Sequence, residues 1–133
     1  MSAAKFDFSI EQGSSFRLAF VYKDRDLNIV DLTDWCARLI WKTSKGEIHT
    51  FESGNNDSSY KFTIDGPNGK VELLIPSDIT NTYDFPLAQY DLELQSPEDF
   101  YAAGGKYTVR VLHGVVTIAK RDSSTSTALD CIP

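Results

Sequence analysis

Apolar and polar side chains alternate along most of this chain with a period of two, the repeat of a strand whose two faces meet different surroundings. Over residues 14–22 the alternation sets Phe16, Leu18, Phe20 and Tyr22 against Arg17, Ala19 and Val21. Trp35, Ala37, Leu39 and Trp41 oppose Cys36, Arg38, Ile40 and Lys42, and Val71, Leu73 and Ile75 alternate until Pro76 stops the run. Ala88, Tyr90, Leu92 and Leu94 oppose Gln89, Asp91, Glu93 and Gln95. Residues 48–52 and 60–64 read as shorter strands, the second with Tyr60, Phe62 and Ile64 in register. Residues 107–112 and 115–119 form two apolar runs, and Gly114 between them marks a bulge or kink rather than a turn.

Turn chemistry separates these runs. Residues 23–28 form a polar tip, 44–46 a tight hairpin, 66–69 (Gly-Pro-Asn-Gly) a strong turn, and 53–59 a flexible loop. A single helical turn is expected within 76–83, with Ser77 as its cap. About eight short strands, spaced roughly ten residues apart and nearly free of helix, predict an all-β, antiparallel β-sandwich. No internal repeat is visible. From Arg121 the polar, Ser/Thr-rich sequence loses all apolar period and reads as an extended arm, with Leu129, Cys131 and Ile132 as its apolar anchors.

Length sets the scale. With 133 residues the chain has room for one domain. Its 13 basic and 19 acidic side chains leave a net charge of −6, which argues against a nucleic-acid scaffold or an anionic-membrane binder. No run approaches the roughly 18 apolar residues of a membrane span, and the first five residues carry no apolar signal core. Of the two cysteines, Cys36 lies in an apolar run and reads as core filling. Cys131 lies in the polar tail, and a Cys36–Cys131 bridge is the alternative to two free thiols in a reducing compartment.

The residues that carry chemistry do not gather into motifs. His49 and His113 sit in strand-like runs with no nearby His-x-x-x-His or Cys-x-x-Cys partner, so both read as strand residues. Asp24, Asp26 and Asn28 alternate like the oxygen ligands of a calcium loop. Ile29 stands where such a loop needs glycine and Trp35 where it needs glutamate, so a hairpin tip explains the segment better, and Asp31 and Asp34 fit turn and strand-entry roles. Gly104 and Gly105 precede a strand rather than a helix, which argues against a phosphate cradle. Asp91 and Glu93 share the polar face of a strand and read as a solvated sheet face. No nucleophile elbow appears, and no catalytic, cofactor-binding or metal residue is assigned. Trp35, Trp41, Tyr83 and Tyr101 are the aromatics that could stack on sugar rings, although Trp35 and Trp41 share one strand face as core residues do.

The order of segments carries a resemblance. Residues 8–17 (FSIEQGSSFR) lead into a strand and polar tip, and 29–38 (IVDLTDWCAR) into a charged strand. Residues 69–76 (GKVELLIP) precede 88–94 (AQYDLEL), and 112–118 (LHGVVTI) close the pattern. This succession resembles the small immunoglobulin-like β-sandwich structural proteins of tailed bacteriophages, found at collars, tails and baseplates, over residues 6–120. It departs from them in the short Gly-rich loop at 101–106 and in the tail beyond Lys120.

The resemblance implies an immunoglobulin-like sandwich of about seven to nine strands over residues 1–120 and a C-terminal arm over 121–133. It implies a non-enzymatic virion protein, made in the host cytoplasm and incorporated at the neck, tail or baseplate. Its partners would be other virion proteins and further copies of itself, with no nucleic acid, membrane or cofactor. A host-surface or glycan-binding sandwich module is the alternative expectation.

Overall fold

The computed structural model describes residues 3–54, 59–98, 100 and 104–120. Nine strands and one helical turn follow in order: β1 (Ala4–Lys5), β2 (Phe8–Glu11), β3 (Phe16–Val21), β4 (Cys36–Thr43), β5 (Ile48–Glu52), β6 (Lys61–Asp65), β7 (Lys70–Ile75), α1 (Ser77–Thr80), β8 (Leu87–Glu98) and β9 (Lys106–Ala119). They form two packed sheets. The broad sheet runs β1-β9-β8-β4-β5 with β2 also on β9, and the small sheet runs β3-β7-β6. Pairings between strands distant in sequence, such as β3 with β7 and β4 with β8, hold each sheet together, and a shared core packs one sheet on the other.

Period two places the core. On β4 the burial alternates residue by residue, with Ala37, Leu39, Trp41 and Thr43 inward. On β7 Val71, Leu73 and Ile75 are inward, and on β8 Ala88, Tyr90, Leu92 and Leu94. These inner faces interdigitate with Ile10, Leu18, Phe62, Val116 and Ile118. Trp41 is fully buried, in ring contact with Phe51, Tyr83 and Phe85. Burial of such side chains from both sheets, at about 25 cal/mol per Å² of apolar surface, is the main force holding the layers together.

Three features depart from expectation. All pairings among β3–β9 are antiparallel, but β1 and β2 pair in parallel with β9, which no short-range signal foretells because parallel strands need a long crossover. The two apolar runs around Gly114 are one continuous strand, with Gly114 in register opposite Tyr90. The irregularities fall instead between Leu92 and Glu93 and between Gln95 and Glu98. Finally, Ser77 does not cap α1: Pro76 holds the N-cap position with extended backbone and no side-chain cap bond forms. Proline there holds the extended backbone of the N-cap position and places Ser77 one residue inside the turn, past the point from which its hydroxyl could cap it.

The turns expected at 44–46 and 66–69 form, while residues 55–58 of the expected 53–59 loop lie outside the described residues. Gly46 closes the β4–β5 hairpin at φ +88°, with its N–H donating to the Thr43 carbonyl at 2.9 Å. The Thr43 hydroxyl accepts from the Lys45 and Glu47 N–H groups. In the β6–β7 turn the Gly69 N–H donates to Gly66 O at 3.0 Å. Both glycines lie under the β3–β4 connection: a Cβ on Gly66 would come within 2.7 Å of Thr33, and one on Gly69 within 2.6 Å of the Val30 carbonyl.

Candidate functional site

The broad sheet's outer face is built from the residues that alternate with the core. Arg38 Nη2 lies 2.6 Å from Glu93 Oε1, and Arg110 Nη1 lies 3.0 Å from Asp91 Oδ1. The hydrogen bond to Glu93 raises the Arg38 pKa, so this guanidinium stays charged. Asp91 and Glu93 are thus cross-strand partners of arginines on β9 and β4, on opposite sides of β8. About half of each arginine side chain is exposed. Such pairs contribute at most about 1 kcal/mol each and chiefly fix the register of the face.

Cys36 belongs to this outer face, not to the core. It is exposed and pairs in register with Gln95, its Sγ 3.9 Å from the Gln95 backbone O and from Oε1. The alternation on β4 decides this, since Trp35 and Ala37 on either side point inward. Cys36, Arg38, Glu93, Gln95 and Thr108 line a shallow depression of about 310 Å³ on that face. A second depression of about 310 Å³ is an apolar seam between the sheets, where Phe20 and Tyr22 face Ala4, Val109, Val111 and Leu112.

The aromatics that could have stacked on sugar face inward. Trp35, Trp41 and Tyr83 are all buried, and only their neighbours touch their rings. Trp35 packs edge-on against Phe100 and Tyr107, at 5.0 and 6.4 Å between centroids. Burial also raises the Tyr83 phenol pKa well above its ordinary value. The fourth candidate, Tyr101, lies outside the described residues, as do Cys131 and the arm from 121 to 133. A glycan platform made of Trp35, Trp41 and Tyr83 is therefore excluded.

The acidic tip is a turn. Asp24 Oδ1 accepts the N–H groups of Asp26 at 2.9 Å and Asn28 at 3.0 Å, which folds the carboxylate back onto its own loop. Asp31 does the same for Thr33, accepting its hydroxyl and its N–H, and those bonds lower the Asp31 pKa. Among the described residues no three His, Cys, Asp or Glu side chains are placed to hold a metal ion. His49 and His113 lie on β5 and β9, in different parts of the broad sheet. His49 is half-buried with Trp41, Tyr83 and Phe85 around it, centroids 5.7–5.9 Å away. Desolvation lowers its pKa, against the opposing charges of Glu47 and Asp84.

What remains open on this surface is backbone. Among the described residues the broad sheet ends at β5 and the small sheet at β3 and β6, so strand edges, rather than a cleft of converging side chains, are its available binding chemistry. Sequence periodicity locates strands but not which of them end a sheet, so these edges were not legible beforehand. Among the described residues no helix is long and apolar enough to cross a membrane. No protein-family model matches the chain. No curated protein matches it either.

Proposed function

We propose that this chain is a non-enzymatic structural component of a tailed-bacteriophage particle, an immunoglobulin-like sandwich incorporated at the neck or collar, tail or baseplate. It works through protein–protein contacts with other virion proteins and with copies of itself. The observation that carries this reading is the way the chain uses its polar groups. The outer-face charges Arg38, Glu93, Arg110 and Asp91 are spent in cross-strand pairs and Asp24 in a self-capping turn, while open backbone lies along sheet edges. That division suits a module that is joined to others rather than one that turns over a substrate.

The strand order supports the immunoglobulin-like part of the reading. Grouping β3-β7-β6 against β9-β8-β4-β5 matches the B-E-D and G-F-C-C′ arrangement of that fold. The segment order from residue 6 to 120 resembles the phage sandwich proteins in the same sense. Quantitative mass spectrometry of purified particles from the source tests the proposal. A fixed stoichiometry of several copies per particle is expected. Soluble protein in lysates with none in particles would overturn it.

A further inference from the structure

Among the described residues, one side of strand β5 pairs with no other strand. Along an antiparallel ladder the backbone N–H and C=O of successive residues point alternately to one neighbour and the other. Two bonds fix the phase here: Thr43 N–H donates to Glu47 O at 2.8 Å and Ser53 N–H to Ala37 O at 2.9 Å. Odd-numbered residues of β5 therefore bond β4, and Ile48, Thr50 and Glu52 point theirs outward. Glu52 is already closed, with the Tyr60 hydroxyl 3.2 Å from its N and 3.4 Å from its O. Ile48 and Thr50 present two N–H and two C=O groups from exposed residues, Ile48 being 67% exposed.

Glu47 and Glu52 flank β5 as Lys61 and Asp65 flank β6, and the stretch between them, Ile48 to Phe51, holds no acid, lysine, arginine or proline to keep a second strand away.

We propose that two copies of this chain pair β5 against β5, antiparallel, about a two-fold axis through His49. In that register Ile48 of each copy faces Thr50 of the other, and each pair exchanges two backbone hydrogen bonds. His49 faces its own equivalent as the close, non-hydrogen-bonded pair. The register is unique. Centring on Thr50 would oppose Ile48 to the closed Glu52, and centring on Ile48 would oppose Thr50 to Gly46, whose N–H is taken by Thr43.

The surroundings fit a second copy. An open depression of about 390 Å³ beside the edge, lined by His49, Phe51, Tyr60, Ile79 and Tyr83, leaves room for the facing ring. Past the strand ends the register brings Lys45 of one copy, exposed and 3.4 Å from Asp84 of its own chain, beside Glu52 of the other, so that opposite charges meet at both ends of the contact. The proposal rests on the assembly reading above for its role in a particle, but the pairing is read in solution and stands or falls separately from particle content.

The test combines sedimentation with cross-linking, using the full chain with Cys36→Ser and Cys131→Ser. The expected result is a mass rising with concentration from one chain toward two. Thr50→Pro removes one outward N–H and leaves the β4 ladder intact, so it should hold the protein monomeric with an unchanged circular dichroism spectrum. With Thr50 retained and Cys36 and Cys131 replaced by serine, His49→Cys should oxidise to a covalent dimer, because close antiparallel pairs have a Cα separation suited to a disulfide. Ile48→Cys should cross-link far less, because it faces Thr50. A monomer at millimolar concentration with no His49→Cys cross-link would overturn the proposal. So would a dimer that survives Thr50→Pro and does not cross-link through His49→Cys. If Thr50→Pro fails to fold, the cysteine pair decides alone.

Discussion

The Phe6 carbonyl lies directly over Gly114, at the point where the N-terminal segment steps from β1 to β2 along β9. The register is the same on both sides of the step, Ala4 opposite Leu112 and Phe8 opposite Val116. The break is stitched by side chains. Asp7 Oδ1 accepts the Val115 N–H at 2.9 Å, and the Tyr90 hydroxyl donates to the Phe6 carbonyl. Burial, with Asp7 and Asp91 nearby, raises the Tyr90 pKa to about 12, so this donor keeps its proton far into the alkaline range. Glycine at 114 is therefore a matter of close approach between two strands, not of a bulge.

Gly114→Ala should destabilise the fold by about 2–3 kcal/mol, because its methyl would meet the Phe6 carbonyl and Asp7 Oδ1 and the first strand would have to lift. Urea denaturation measures this. An unchanged midpoint would show that the first strand contributes little to stability.

Thr80 is fully buried and joins α1 to the β2–β3 connection. Its hydroxyl donates to Ser14 O at 2.8 Å and accepts the Gly13 N–H at 3.1 Å. Thr80→Val keeps the shape and removes both bonds, which should cost about 2–3 kcal/mol by stranding two backbone groups. Thr80→Ser keeps the hydroxyl and should cost about 1 kcal/mol for the lost methyl. Equal losses in the two variants, by thermal or chemical unfolding, would assign the site to packing instead.

Alternation located β3 through β8 because each has at least five residues over which inward and outward positions repeat. β1 and β2 escaped, having two and four residues, and their parallel pairing with the last strand is set by the whole intervening chain. Cys36 misled by residue type. Its apolar neighbours suggested core, while the period already placed it opposite Trp35 and Ala37. The open edge at Ile48 and Thr50 was beyond reading, since it depends on the phase of the β4–β5 ladder and on a distant tyrosine hydroxyl.

His49 gives stability an acid-side slope. Its folded pKa lies below the ordinary 6.5 because its surroundings are poor in water. As pH falls below about 6.5 the unfolded chain binds a proton that the folded chain refuses, so stability declines until the folded pKa is passed. His49→Phe should flatten that part of the stability–pH curve relative to the parent. Parallel curves between pH 7 and pH 5 would mean that Glu47 and Asp84 cancel the desolvation.

Leu27 occupies a left-handed backbone position, φ +67°, at the tip closed by Asp24, with 76% of its surface exposed. A branched side chain there carries strain of about 1 kcal/mol that burial does little to offset, since most of it is exposed. Asparagine tolerates this conformation better, and Leu27 uses only its backbone N–H, donating to Asp24 O at 3.0 Å. Leu27→Asn should therefore raise stability by about 0.5–1 kcal/mol, read as a higher unfolding midpoint. Asp34 shares the same φ but already has a side chain suited to it, so Asp34→Asn should change little. A loss on replacing Leu27 would mean that its exposed side chain makes a stabilising contact in solution, and the strain argument would fail.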